Sequence, residues 1–144
     1  MLTIVPRDSG EPVVVDDFTA GYLEAALWSS MDGSTPQGGE PLDKNYEFSD
    51  IASDSLHQMV TDCKLFQEKF GHLITEENET KSRRECTVQA YAGHDFWLTR
   101  EGHGCGFWDG DWEKKVGLIL TEASKGFKPV DLYVGDDNLI HAST

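Results

Sequence analysis

The stretch GHDFWLTREGHGCGFWDGDW, residues 93–112, holds the densest group of side chains that could do chemistry. Histidine and aspartate are suitable ligands for a divalent metal, and a His/Asp pair can also act as a general base. The alternation in HDFWLTR and the glycines of EGHGCG predict a β-hairpin, in which His94 and Asp109 would approach each other. The members of this candidate hairpin site are His94, Asp95, Trp97, His103, Trp108 and Asp109.

The spacing of these residues matches no familiar metal motif. His94 and His103 lie nine positions apart, and the patterns HxH and HxxxH do not occur. Polar residues in hairpin turns mostly bond to nearby backbone N–H groups, and glycines supply positive φ angles. We therefore predict no metal and no cofactor, and a small metal-dependent hydrolase or nuclease remains the alternative function.

Cysteine chemistry has weak support. A nucleophilic Cys105 would need a lowered pKa, which His103 could supply, but no third group to orient the pair is evident. Cys63, Cys86 and Cys105 are widely spaced and form no CxxC pair. This usage predicts reduced thiols rather than a zinc site.

Large aromatic residues fall on both faces of the predicted hairpin: Phe96, Trp97, Phe107 and Trp108. Either the sheet is covered on both sides or it exposes an aromatic binding patch, and we favour the covered sheet. An exposed Trp97 or Trp108 would suit a second alternative function, a replication-associated binding module.

Charge is the strongest signal outside this stretch. The 144 residues carry a net charge of −14, and residues 1–62 contain twelve acids against two bases. Such a surface repels nucleic acids and anionic membranes and attracts basic protein surfaces, although it could also be a merely solvated surface. We expect a face that imitates nucleic-acid phosphates, formed by Asp16, Asp17, Glu24, Asp32, Glu40, Asp43, Glu47, Asp50 and Asp54.

The order of predicted elements indicates one α+β domain over residues 1–144. It consists of a small antiparallel sheet of two β-hairpins covered by three to four helices. After an extended start, the predicted helices cover residues 16–31, 48–74, 85–93 and 111–127. The predicted hairpins cover 94–109 and 129–142, and an exposed loop lies around 32–47.

Caps and core stripes fix the helices more closely. Asp16 or Asp17 can cap the first helix and Ser49 or Asp50 the second, while Gly93 and Gly126 suit helix ends. Two helices carry apolar residues at spacings of three and four, which predicts a buried stripe on each. The stripes are Leu56, Met59, Val60, Cys63, Phe66, Phe70 and Leu73, and Trp112, Val116, Ile119, Leu120 and Ala123.

Four segments, YAGHDFWLTREGHGCGFWDGDW, YLEAALWSS, GGEPLDKNY and DLYVGDDNLIHA, resemble a family of small bacteriophage proteins. Members share a core close to AGHDFWLTRNGHGxGFWD and a tail close to DLYVGDDGLI, so the resemblance covers most of residues 18–142. This chain has Glu101 where Asn is usual and Cys105 where a small residue such as Ala is usual, which argues against a cysteine nucleophile. The resemblance implies phage origin and action in the bacterial host cytoplasm, and it carries over no functional residues.

Together these observations predict a non-enzymatic phage accessory protein that binds and inhibits a host protein. An anti-defence inhibitor, such as an anti-CRISPR or anti-restriction protein, is the expected type. The expected partner is a host protein with a basic nucleic-acid-binding surface, rather than a nucleic acid or a membrane. The first residues show no signal-peptide pattern and no segment is long and apolar enough to span a membrane.

Overall fold

A computed structural model of the chain describes residues 1–34, 39–80, 86–103 and 105–143. These residues form an α+β fold, as predicted, with four α-helices and three small two-stranded antiparallel sheets. The helices are α1 (Asp17–Ser29), α2 (Ser53–Phe70), α3 (Val88–Arg100) and α4 (Lys114–Lys125). The strands are β1 (Leu2–Ile4), β2 (Val13–Val15), β3 (Met31–Asp32), β4 (Glu40–Pro41), β5 (Asp131–Val134) and β6 (Ile140–Ser143).

Helices α1 and α3 form the centre of the molecule. Asp16 caps α1 as predicted, since its Oδ1 accepts a hydrogen bond from Thr19 N at 2.9 Å. Thr87 caps α3 in the same way through Ala90 N. Most residues of both helices are buried, including small ones such as Ala25 and Ala92. A helix that is apolar on nearly all sides belongs inside a core rather than on its surface.

The two central helices touch backbone to backbone. A Cβ atom at Gly21 would overlap the carbonyl oxygen of Ala90. A Cβ at Gly93 would overlap the carbonyl oxygen of Phe18 and lie 2.8 Å from Tyr22 N. Only glycine permits this approach. Gly93 lies inside α3, so the prediction that it ends a helix is wrong.

Helices α2 and α4 cover this pair with one apolar face each. The predicted stripe of α2 is buried from Leu56 to Phe66. The helix begins later than predicted, because Ala52 N donates to Ile140 O at 2.8 Å and holds the preceding residues against β6. Of the stripe predicted for the last helix, Val116 and Leu120 of α4 and Trp112 just before it are buried, but Ile119 is 45% exposed.

The strands form three separate hairpins rather than one sheet. The predicted C-terminal hairpin is confirmed, with Val134 opposite Ile140 and Leu132 opposite Ala142. β1 pairs with β2. β3 pairs with β4, and this second pair lies mostly within the segment predicted to be a loop. The described part of 32–47 is mostly exposed, yet Leu42 is fully buried. Residues 35–38 of that loop lie outside the described residues.

The predicted hairpin over 94–109 is wrong, because residues 94–100 continue α3. The alternation misled because residues 95–100 are buried on every side, so no exposed face marks a helical period. α3 ends at Arg100, and the chain turns away at Gly102, whose φ is +75°. Gly102 N bonds to Thr99 O and His103 N to Leu98 O, which is the Schellman pattern of a helix C-terminus.

Arg100 is a buried cation at the end of α3. Its Nη1 atom lies 2.9 Å from Asp62 Oδ2 on α2 and 3.1 Å from the hydroxyl of Tyr22 on α1. Its Nε donates to Lys128 O at 3.1 Å, and its guanidinium lies over the rings of Phe96 and Phe127. These hydrogen bonds and the Asp62 charge compensate the burial of Arg100. Through them Arg100 connects α3 to α1, to α2 and to the loop after α4.

We predict that Gly93→Ala lowers the free energy of unfolding by about 3 kcal/mol, because the added methyl must separate two packed backbones. Gly71→Ala is the control, since a Cβ there meets nothing closer than 3.7 Å. The control should change stability by less than about 1 kcal/mol. Urea unfolding followed by circular dichroism measures both, and equal stabilities would contradict the close crossing.

We predict that Arg100→Met costs about 3–5 kcal/mol, because it leaves the Asp62 carboxylate buried without its cation. Adding Asp62→Asn should recover part of this loss, since the uncompensated charge is then removed. The same unfolding measurement tests this pair of variants. A double variant less stable than Arg100→Met alone would show that the ion pair is not the cause.

Candidate functional site

The structure separates the residues of the predicted hairpin site. His94 lies on α3, with its Nε2 3.3 Å from Glu24 Oε1 on α1. Burial lowers the pKa of His94, against the opposing effect of the Glu24 charge. His103 is exposed in the turn after α3. The expected approach of His94 to Asp109 required the hairpin and is replaced by the pair between His94 and Glu24.

Asp95 is buried and holds a loop to the core. Its Oδ2 accepts a hydrogen bond from Trp112 Nε1 at 2.7 Å, which fixes the segment that leads into α4. Burial, together with the nearby carboxylates of Asp109, Asp111 and Glu79, raises the pKa of Asp95 to about 8, against the opposing effect of the Trp112 hydrogen bond. Asp95 is therefore largely protonated at neutral pH and serves as a structural acid.

Asp109 and Asp111 complete this acidic group. Asp109 Oδ2 accepts a hydrogen bond from Gly106 N at 3.2 Å, and the hydroxyl of Tyr91 bonds to Asp111. Burial and the charge of Asp111 raise the pKa of Asp109. Among the described residues, no group of three or more His, Cys, Asp or Glu side chains is placed to hold a metal ion. The geometry gives the metal-dependent alternative no support.

Cys105 and the two tryptophans of the candidate site lie in different environments. Burial and three nearby aspartates raise the pKa of the exposed Cys105, which disfavours the nucleophilic thiolate. Trp97 is only 1% exposed and donates to Ser29 Oγ at 2.7 Å, so it is a core residue. Trp108 is 53% exposed. Of the two tryptophans considered for partner contact, Trp108 alone is at the surface.

The nine acids predicted to bind a partner differ in exposure and in the contacts that they make. Several stabilise the fold: Asp16 caps α1, Asp50 lies 2.6 Å from Arg7, and Glu40 lies 3.0 Å from Lys44. Asp32 is 2% exposed, and its Oδ1 accepts hydrogen bonds from Ser34, so it shapes a turn and is not available at the surface. The exposed members are Asp16, Glu24, Asp43, Glu47 and Asp54, and the half-buried ones are Asp17, Glu40 and Asp50.

Three of the exposed acids open onto one cleft. Glu24 on α1 and Asp43 and Glu47 in the segment after β4 line an open cavity of about 390 Å³. The rest of its lining is mainly apolar: residues 2–5 at β1, Leu27 of α1, and residues 46–49. Burial lowers the pKa of His94 beside Glu24, so the imidazole favours its neutral form and adds no positive charge at this end of the cleft.

Sequence reasoning found the acids of this cleft but missed its apolar lining. Tyr46 and Phe48 lie in or beside a segment predicted to be an exposed loop with little to bury. Both are half-buried and pack against the core. The alternation of aromatic and acidic residues in NYEFSD is the local signal that could have indicated a partly buried wall.

We predict that Asp95→Asn makes the protein more stable than the wild type at pH 8, by about 1 kcal/mol or more. The pKa of Asp95 rises from 3.8 to about 8 on folding, so the folded protein holds this proton more tightly. The contribution of Asp95 to wild-type stability should therefore fall between about pH 4 and pH 8, whereas asparagine keeps the Trp112 bond without titrating.

Thermal unfolding at several pH values measures this difference. Asp136→Asn, at an exposed turn, is the control and should follow the wild-type pH dependence. If Asp95→Asn lost stability equally at pH 5 and pH 8, Asp95 would be ionised in the folded protein.

None of the described helices is both long and apolar enough to cross a membrane. Comparison of the chain with protein-family models, curated proteins and solved structures finds no match.

Proposed function

We propose that this chain is a binding protein that docks its acidic surface on a basic, nucleic-acid-binding surface of another protein and blocks it. One observation carries this proposal. The strongly acidic part of the chain, residues 1–62, places Glu24, Asp43 and Glu47 around a single cleft with apolar walls.

Charge and shape have separate roles in this proposal. Negative charge steers a basic partner toward the cleft and raises the association rate. The apolar walls supply surface whose burial stabilises the complex, which charge on an open surface does poorly. A partner held in this way has its cationic groups occupied by carboxylates, so it cannot bind phosphates with the same groups.

The biological setting of this function is inferred from two segments of the sequence. The segments AGHDFWLTR and DLYVGDD support a phage accessory protein that acts in the bacterial host cytoplasm. Within that setting, the blocked protein would belong to a host defence system, and the chain would be an anti-CRISPR or anti-restriction inhibitor. The proposal includes no catalytic step, no metal and no cofactor.

A second candidate function is favoured by one observation. Trp108 is exposed beside the apolar surface of Leu118, with which it lines a smaller cavity. Aromatic residues with this exposure are frequent contact points at protein interfaces. A replication-associated binding module would use Trp108, whereas an acidic inhibitor would use the cleft.

We predict that the immobilised protein captures a nucleic-acid enzyme from nuclease-treated bacterial lysate, and that raising salt from about 50 mM to about 500 mM reduces capture at least about tenfold. Excess duplex DNA should release the same partner. The measurement is quantitative mass spectrometry of the bound proteins.

Two triple variants sharpen this experiment. Glu24→Gln with Asp43→Asn and Glu47→Gln removes the acids of the cleft and should abolish capture. Glu68→Gln with Glu122→Gln and Asp136→Asn removes equal charge from exposed positions outside the cleft and should retain most of it. Salt-insensitive capture that is lost in Trp108→Ala would favour the binding module and contradict the acidic inhibitor.

A further inference from the structure

The cleft runs along an unpaired strand edge. The three residues of β1 and Val5 directly after it line the cleft, whereas residues 13–15 of β2 do not. Successive side chains of a strand point to opposite faces of the sheet. Four consecutive residues can therefore line one cleft together only along the backbone edge of the strand. The cleft therefore lies beside the edge of β1 that faces away from β2.

This edge has no strand partner among the described residues. β1 belongs to a two-stranded sheet, in which Thr3 lies opposite Val14. Outside that ladder, the first described backbone bond of this region is from Arg7 N to Ser49 O. In an antiparallel pair, alternate residues direct their N–H and C=O groups to the outer edge. Such an edge accepts a further strand.

The opposite wall defines what the further strand should contain. Leu27, Tyr46 and Phe48 provide an apolar surface, and Glu24, Asp43 and Glu47 provide carboxylates. No ion pair between Asp43 or Glu47 and a basic side chain occurs in the described part of the chain. A strand with apolar side chains on one face and lysine or arginine on the other matches both kinds of group.

We propose that this cleft binds an extended, cationic segment of the partner protein, which adds to β1 as a third strand. Its apolar side chains enter the cleft, and its basic side chains face the carboxylates. The available edge of four residues corresponds to about 13 Å of strand. This inference rests on the proposed function and adds the chemical class and conformation of the bound segment.

Charge argues against other occupants. A nucleic acid would bring phosphates against three carboxylates. A second copy of this chain would bring its own acidic surface, since residues 1–62 carry twelve acids and two bases. A cationic segment from another protein is the occupant that the lining favours.

The test uses a labelled octapeptide of alternating valine and lysine as the probe, with fluorescence anisotropy as the readout. The protein should bind it saturably, and a valine and glutamate peptide should not bind. Asp43→Asn with Glu47→Gln should weaken binding about three- to tenfold, whereas Glu68→Gln with Glu122→Gln should change it less than about twofold. Equal loss in the two double variants would overturn the inference.

Strand addition has its own readout. Methylating the backbone nitrogens of either the valines or the lysines blocks one edge of the peptide, so one of the two methylated peptides should lose about tenfold or more in affinity. Amide hydrogen exchange within residues 2–5 should slow when peptide binds. Full affinity of both methylated peptides, or unchanged exchange, would overturn strand addition. Protection of these amides by self-association without peptide would also overturn it, because a second copy would then occupy the edge.

The two proposals fail differently. If the peptide does not bind but a nucleic-acid enzyme is captured in a salt-sensitive way, the proposed strand binding in the cleft is wrong and the proposed acidic inhibitor stands. If the peptide binds in a charge-dependent way but no such enzyme is captured, the cleft binds a cationic strand and the proposed function is wrong.

Discussion

The contact between α1 and α3 is the constraint on which the rest of the fold depends. Gly21 faces the carbonyl of Ala90, and Gly93 faces that of Phe18, so the two backbones meet without side chains between them. Their larger residues must then point away from the crossing, where α2, α4 and the loops pack on them. Phe66 of α2, for example, stacks on Phe96 with ring centroids 4.2 Å apart.

Burial of α3 also explains the polar side chains that first suggested chemistry. Residues 95–100 of α3 expose no face, so each polar group on them needs a partner within the protein. Arg100 pairs with Asp62, Asp95 accepts from Trp112, and Trp97 donates to Ser29. These bonds connect α3 to α2, to the segment before α4 and to the end of α1. Asp95 and Trp97, which the sequence placed in a candidate active site, therefore hold elements of the fold together.

In the acidic half of the chain, residues that look alike in the sequence have different roles in the structure. Its charges looked uniform, but the structure assigns some of them to caps, turns and ion pairs and leaves others at the surface. Glu24, Asp43 and Glu47 gain their significance from apolar neighbours that no pattern of charges indicates. A carboxylate beside an apolar wall and an open strand edge offers more to a partner than one surrounded by water.

Local signals in the sequence determined much of the fold. Asp16 identified the start of α1, the spacing from Leu56 to Phe66 identified the buried face of α2, and turn residues identified the C-terminal hairpin. Charge counts identified the acidic half. Each of these features depends on neighbours within one or two turns of chain, and short-range patterns record such neighbours well.

Only the tertiary structure decided that HDFWLTR is helical, that Gly93 permits close packing, and that a cleft exists. A segment buried on all sides has no exposed face and therefore no helical period to detect. A glycine that touches another helix looks locally like a helix end. The cleft joins residues 2–5 to residues 43–49, more than thirty positions apart, and only folding brings that strand edge and those carboxylates together.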